Sequence, residues 1–205
     1  MKVLVIGGVA AGTKAAAKWK RENRGDEVLL LTKSADISYA GCGLPYYVGG
    51  SIANKEELIV NTPAKYQGLT GVEVRTLREA TQVDPVAKQV TVRQVETGEE
   101  EVYAYDKLIL ATGASAVKPP IPGVDLPGVF PMRAPEDAIT MRAYLESNGV
   151  KKAVVIGGGF IGLELAENLF DRGISVTVVE IASQLLSGVL DPEMAQYVKN
   201  HLTQK

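Results

Sequence analysis

One cysteine and two glycine-rich turns carry the chemistry available to this sequence. The sulfur sits in Ser38-Tyr39-Ala40-Gly41-Cys42-Gly43-Leu44-Pro45-Tyr46-Tyr47. Flanking glycines give it access, and Pro45 suits the first turn of a helix. A sulfur at a helix N-terminus faces unpaired N–H groups that stabilise the thiolate, its reactive form. A lone cysteine is more often a buried, inert one. The glycines, the proline and the neighbouring nucleotide motif predict a redox role for Cys42 instead. With no second cysteine in the chain to resolve an adduct, electrons have to reach Cys42 from another carrier.

The first turn is Gly7-Gly8-Val9-Ala10-Ala11-Gly12, after the apolar run Val3-Leu4-Val5-Ile6. The second is Gly157-Gly158-Gly159-Phe160-Ile161-Gly162, after Ala153-Val154-Val155-Ile156. Each reads as a buried strand, a phosphate-binding turn and a helix, the arrangement that receives a dinucleotide pyrophosphate. In the second, Gly157 permits the tight turn, Gly159 lets backbone approach phosphate and Gly162 lets helix press on strand. Glu180 ends the following strand 18 residues after Gly162, where a carboxylate accepts hydrogen bonds from a ribose and repels a 2′-phosphate. That predicts NAD(H) in preference to NADP(H). The first turn departs from the pattern, with Val9 in its middle and Thr32-Lys33 where an acid is expected. Thr32 can hydrogen-bond a ribose, though as a neutral partner it holds it less strongly. Two such units about 150 residues apart can hold two dinucleotides, FAD and NAD(H), the layout of a flavoenzyme that takes a hydride from a nicotinamide.

The elements that must position these residues are those of an α/β fold. At 205 residues, with 46% hydrophobic and 22% charged, the chain can bury a core. Its net charge of −2 and lack of a basic cluster interleaved with aromatics argue against nucleic acid as a partner. No stretch is long enough to cross a membrane, and the apolar start suits a first Rossmann strand better than a signal peptide. The single cysteine fits a reducing cytoplasm. Strands are predicted at 2–6, 28–31, 72–76, 153–156 and 175–180, and helices at 11–22 and 135–147. Residues 42–50 read as a loop entering a helix. Alternating polarity from Val83 to Val95 and from Glu101 to Tyr105 predicts an antiparallel β-meander over the first sheet. Leu108-Ile109-Leu110-Ala111-Thr112-Gly113 reads as a strand ending in a glycine turn. Asp191-Pro192 reads as the start of a last helix. The expected organisation is two Rossmann-like dinucleotide-binding units, an FAD/NAD(P)-binding fold with the second unit incomplete. Residues 1–113 form an FAD-binding domain with the meander inserted, 114–123 a proline-rich linker, and 124–205 the N-terminal part of an NAD-binding domain.

These motifs resemble the single-cysteine branch of the pyridine nucleotide-disulfide oxidoreductases, and within it the coenzyme A-disulfide reductases and NADH-dependent polysulfide or persulfide reductases. The likeness runs through the first turn, the Ser38-to-Tyr46 segment, the Ala111-Thr112-Gly113 turn and the second turn. It implies that Gly7, Gly12, Thr32, Lys33, Cys42, Ala80 and Ala111 to Gly113 line FAD. It implies that Phe160 gates the flavin until NADH displaces it, and that Glu164 lies beside the nicotinamide. Without the family, Phe160 and Glu164 read equally as a core aromatic and a helix-surface acid. The resemblance also implies a longer parent, a homodimer through a C-terminal domain not in this chain.

Lys14, Lys18 and Arg21 fall at i, i+4 and i+7 on one helix face. They read either as receivers of coenzyme A phosphates, with Ser38 near the sulfur, or as a solvated basic stripe. Two other readings stay open: an NADH oxidase or peroxidase cycling Cys42 through a sulfenic acid, and a nucleotide-binding fragment without turnover. Peroxidase-type relatives carry a histidine in the first turn, where this chain has Ala10; its one histidine is His201.

Overall fold

The computed structural model describes residues 1–204. The chain forms two compact units, one of Met1–Ala40 with Ile59–Ser115 and one of Gly41–Leu58 with the residues from Ala116 onward.

In the first unit, β1 (Lys2–Ile6), β2 (Glu27–Leu31), β3 (Glu73–Arg75) and β7 (Lys107–Leu110) make a parallel sheet in the order β3-β2-β1-β7. A parallel strand with both faces covered is apolar at every position, which is why Val3-Leu4-Val5-Ile6 does not alternate. Val3 and Val5 pack on one side with Ala16 of α1 (Ala10–Glu22) and Tyr66 of α3 (Pro63–Thr70). Leu4 and Ile6 pack on the other side with Val90 and Val92 of the meander. That meander is β4 (Arg78–Asp84), β5 (Gln89–Gln94) and β6 (Glu100–Ala104), antiparallel in that order. Its first strand begins at Arg78, five residues before the alternation visible from Val83, and it shifts register between Ala80 and Gln82. An irregular register hides the period-two pattern.

The second unit contains a 3₁₀ turn at Gly41–Gly43, then α2 (Leu44–Gly49), α4 (Pro135–Asn148), β8 (Lys152–Ile156), α5 (Phe160–Asp171), β9 (Ser175–Val179) and α6 (Pro192–Thr203). β8 and β9 pair in parallel. Residues 41–58 group here because α2 packs on α4 and α5. At Gly49 a Cβ would run into the side chain of Asn168 on α5, so only glycine allows that approach. Asp191 accepts from Met194 N–H at 2.9 Å and Pro192 follows it, the cap that its residue types require.

Candidate functional site

The first glycine turn is built from both sides. Gly7 N–H donates to Leu31 O at 2.8 Å, and Gly7 has φ 116°, a conformation that other residues rarely adopt. A Cβ at Gly7 would overlap the Ala111 carbonyl, and one at Gly12 would overlap the Gly7 carbonyl. Helix α1 and strand β7 therefore close on the turn only because both positions are glycine. Val9, at the N-cap of α1, has φ −101° and ψ −144° and makes no side-chain cap. Thr32 is 7% exposed, and its methyl lies 3.1 Å from where a Cβ on Gly8 would sit. Lys33, Thr112, Gly113, Ala10 and Ala11 are exposed around it. Ala80 packs against the Leu4–Ile6–Leu31 cluster, two residues after Arg78, whose N–H donates to Thr32 O at 2.8 Å.

The second turn repeats this construction. Gly157 N–H donates to Val179 O at 2.8 Å with φ 111°, and a Cβ at Gly162 would overlap the Gly157 carbonyl. Thr32 and Glu180 thus occupy equivalent places, each following the carbonyl that anchors its turn. Glu180 accepts from Ala182 N–H at 2.8 Å and Gly158 N–H at 2.6 Å. These backbone donors hold its carboxyl below the usual carboxylate range. Gly159 has extended backbone at the N-cap of α5, and a Cβ placed there would meet nothing within 4 Å. The fold itself does not need glycine at this point. A cradle left open at a helix N-terminus fits a phosphate that must come close.

A feature absent from the sequence reading is a return loop over each turn. Ser38 N–H donates to Gly8 O at 2.8 Å, and Leu186 N–H donates to Gly158 O at 3.0 Å. Both donors are non-glycine residues in the left-handed region, at φ 50° and 51°. Ile37 and Leu185 lie against the second glycines in the same way. The signal available was the equal offset, six residues from Thr32 to Ser38 and six from Glu180 to Leu186.

Cys42 is exposed in the 3₁₀ turn that runs into α2, whose first turn contains Pro45. It belongs to the second unit together with Phe160, Ile161 and Glu164. Phe160, the first residue of α5, is 59% exposed, so it is no core aromatic. Glu164 is half-buried one turn further along. Lys14, Lys18 and Arg21 are exposed on α1, and Lys18 pairs with Glu22. Ser38 lies in the first unit, and its hydroxyl accepts from Asn61 Nδ2 at 3.4 Å. Among the described residues no group of acidic, histidine or cysteine side chains could hold a metal ion, and no helix is long and apolar enough to cross a membrane.

Comparison with known proteins bears on this arrangement. The family model described as pyridine nucleotide-disulphide oxidoreductase matches residues 1–205. An NADH oxidase of Methanocaldococcus jannaschii is 40% identical over 203 residues, 98% of this chain and 45% of that protein. A coenzyme A disulfide reductase of Staphylococcus haemolyticus is 32% identical over 98% of this chain and 45% of its own length. The solved structure of an NAD-dependent persulfide reductase from A. fulgidus superposes with a TM-score of 0.94 at 39% identity, covering 100% of this chain and 38% of that one. The chain spans less than half the length of each of these relatives.

Proposed function

The chain belongs to the pyridine nucleotide-disulphide oxidoreductase family, and from that premise we propose that it is the nucleotide- and sulfur-bearing part of an enzyme that reduces a coenzyme A disulfide, persulfide or polysulfide with NAD(P)H. The observation that carries the proposal is the pair of matched cradles, one beside neutral Thr32 and one beside anionic Glu180, in a chain whose lone cysteine is exposed. Gly7 to Gly12, Thr32, Lys33 and Ala111 to Gly113 would hold FAD, which supplies a two-electron relay between nicotinamide and sulfur. Gly157, Gly159, Ile161, Gly162 and Glu180 would hold the nicotinamide nucleotide. The Glu180 carboxylate favours NADH, because a 2′-phosphate would meet a negative charge already fixed by two backbone N–H groups.

Cys42 acts as a thiolate. It attacks one sulfur of the substrate disulfide, expels the other as a thiolate and retains a mixed disulfide. Two electrons drawn from NAD(P)H then break that bond, release the second thiol and restore the Cys42 thiolate. Phe160, exposed despite its size, would cover the flavin until the nicotinamide nucleotide displaces it, and Glu164 would lie beside the nicotinamide. Lys14, Lys18 and Arg21 would offer positive charge to coenzyme A phosphates, and Ser38 would contribute a substrate-binding hydroxyl. A single cysteine with this role belongs in the reducing cytoplasm.

The test is Cys42→Ser in the FAD-loaded protein. Disulfide reduction should disappear, while electron transfer from NADH to ferricyanide continues. Equal loss of both activities would overturn the assignment. A second reading, an NADH oxidase, is favoured by the archaeal relative of that name. Its mark would be a Cys42 sulfenic acid trapped by dimedone during turnover in air.

A further inference from the structure

We infer that Arg142, supported by Glu146 and Arg172, is a positioning residue for Cys42, holding the far end of the short helix whose near end follows the sulfur. The inference rests on the redox role proposed above for Cys42.

Helix α2 has six residues, too few to be stable by its own hydrogen bonds. Its geometry must come from what grips it. The last carbonyls of a helix lack partners within it, and here they are taken by specific groups. Tyr46 O and Tyr47 O accept from Gly50 N–H at 3.0 and 3.2 Å, with Gly50 at φ 95°. Tyr47 O also accepts from Arg142 Nη1 at 3.2 Å, and Val48 O accepts from Arg172 Nη1 at 2.6 Å. Arg142 Nη1 reaches on to Ile52 O at 3.2 Å and Ala53 O at 3.0 Å, fixing the loop beyond the helix. Its guanidinium lies 4.6 Å from the centre of the Tyr47 ring.

The two arginines are themselves held. Arg142 Nε donates to Glu146 Oε1 at 2.9 Å one turn along α4, and Arg172 Nη2 lies 3.5 Å from the same oxygen. Both cations hold the Glu146 carboxyl below its ordinary range, Arg142 the more strongly. Two positive charges at a helix C-terminus also complement the negative end of its dipole. Lysine could supply the charge but not a planar fork that bonds carbonyls while stacking on a ring. The conservative replacement therefore separates charge from geometry. Misplacing a reacting group by about 1 Å can lower turnover about a hundredfold, so the anchor bears on the sulfur chemistry and not on electron flow to other acceptors.

The experiment compares Arg142→Lys with the unaltered FAD-loaded protein by two readouts. Amide exchange of residues 44–49 should accelerate at least about tenfold, as local opening becomes easier. Turnover with a disulfide should fall at least about tenfold, with NADH-to-ferricyanide turnover within about twofold of the original. Unchanged exchange in α2, or equal loss of both activities, overturns the inference. Should Arg142→Lys fail to fold, Arg172→Lys is read by the same criteria. Cys42→Ser run in parallel separates the two levels. Disulfide reduction that survives it removes the role of Cys42 itself, whereas its loss alongside an indifferent Arg142→Lys removes only the anchor.

Discussion

The two glycine turns share a backbone and differ at the positions where a ligand would lie. In both, the first glycine has positive φ and donates to the end of the second strand, and in both a left-handed residue returns over the second glycine. Val9 then stands where Gly159 stands, and Thr32 where Glu180 stands. The shared parts are those the fold needs, since a Cβ at Gly12 or Gly162 would overlap backbone. The parts that differ are those the fold leaves free, since Gly159 has open space around it. One construction has thus been given two surfaces, consistent with two different nucleotides.

That division between fold and ligand can be broken by substitution, and the largest effect is expected at Gly7. Gly7→Ala combines an unfavourable backbone conformation with overlap on Ala111 and should destabilise by about 3–5 kcal/mol. Gly157→Ala meets no neighbour within 4 Å and should lose only about 1–2 kcal/mol. Urea midpoints measured on both variants check the ordering, and equal losses would mean that the turns are not distinguished by β7. The next effect concerns binding. Gly159→Val copies Val9 onto the second turn; stability should stay within about 0.5 kcal/mol while NADH affinity falls at least about tenfold, or 1.4 kcal/mol. A variant that unfolds instead, with normal affinity in the folded fraction, would show that this glycine serves the fold.

The smallest effect sharpens the contrast between Thr32 and Glu180. Glu180→Gln should raise NADPH use relative to NADH about three- to tenfold, by removing one like charge. The same variant has a signature in pH. Because the folded protein holds the Glu180 carboxyl below its ordinary value, ionised Glu180 stabilises the fold fully above the usual glutamate range, near about 4.3. That contribution disappears as pH falls through the lower folded value. Thermal midpoints between pH 7 and pH 3 should therefore fall less steeply in Glu180→Gln than in the unaltered protein. Parallel curves would detach Glu180 from its turn.

Much of this architecture is written in residue types. Unbroken apolar runs mark β1, β2 and β8, glycine spacing marks both cradles, and Asp191-Pro192 marks the start of α6. What escaped depends on contacts that no local pattern encodes. The left-handed backbone at Ser38 and Leu186 is imposed by the carbonyls of Gly8 and Gly158, not by serine or leucine. The first five residues of β4, Arg78-Glu79-Ala80-Thr81-Gln82, include few apolar residues to betray a strand. Arg142 reaches Ile52 across 90 residues of sequence, a partnership visible only once α4 lies beside α2. Phe160 illustrates the opposite limit. Its type suggested a core position as readily as an exposed one, and only the fold could decide.

The grouping of residues 41–58 with the later half of the chain bears on how the protein is made. Leu44, Val48 and Leu58 are buried in the finished structure, yet the helices that pack on α2 are synthesised long after it. At roughly 5–20 residues per second, the segment waits on the order of ten seconds on the ribosome before α5 emerges. During that interval its apolar side chains and its cysteine are open to wrong partners and to oxidants. The sulfur thus leaves the ribosome well before the helices that grip its segment. A nascent chain of this kind gains from surroundings reducing enough to keep Cys42 intact until its helix is gripped.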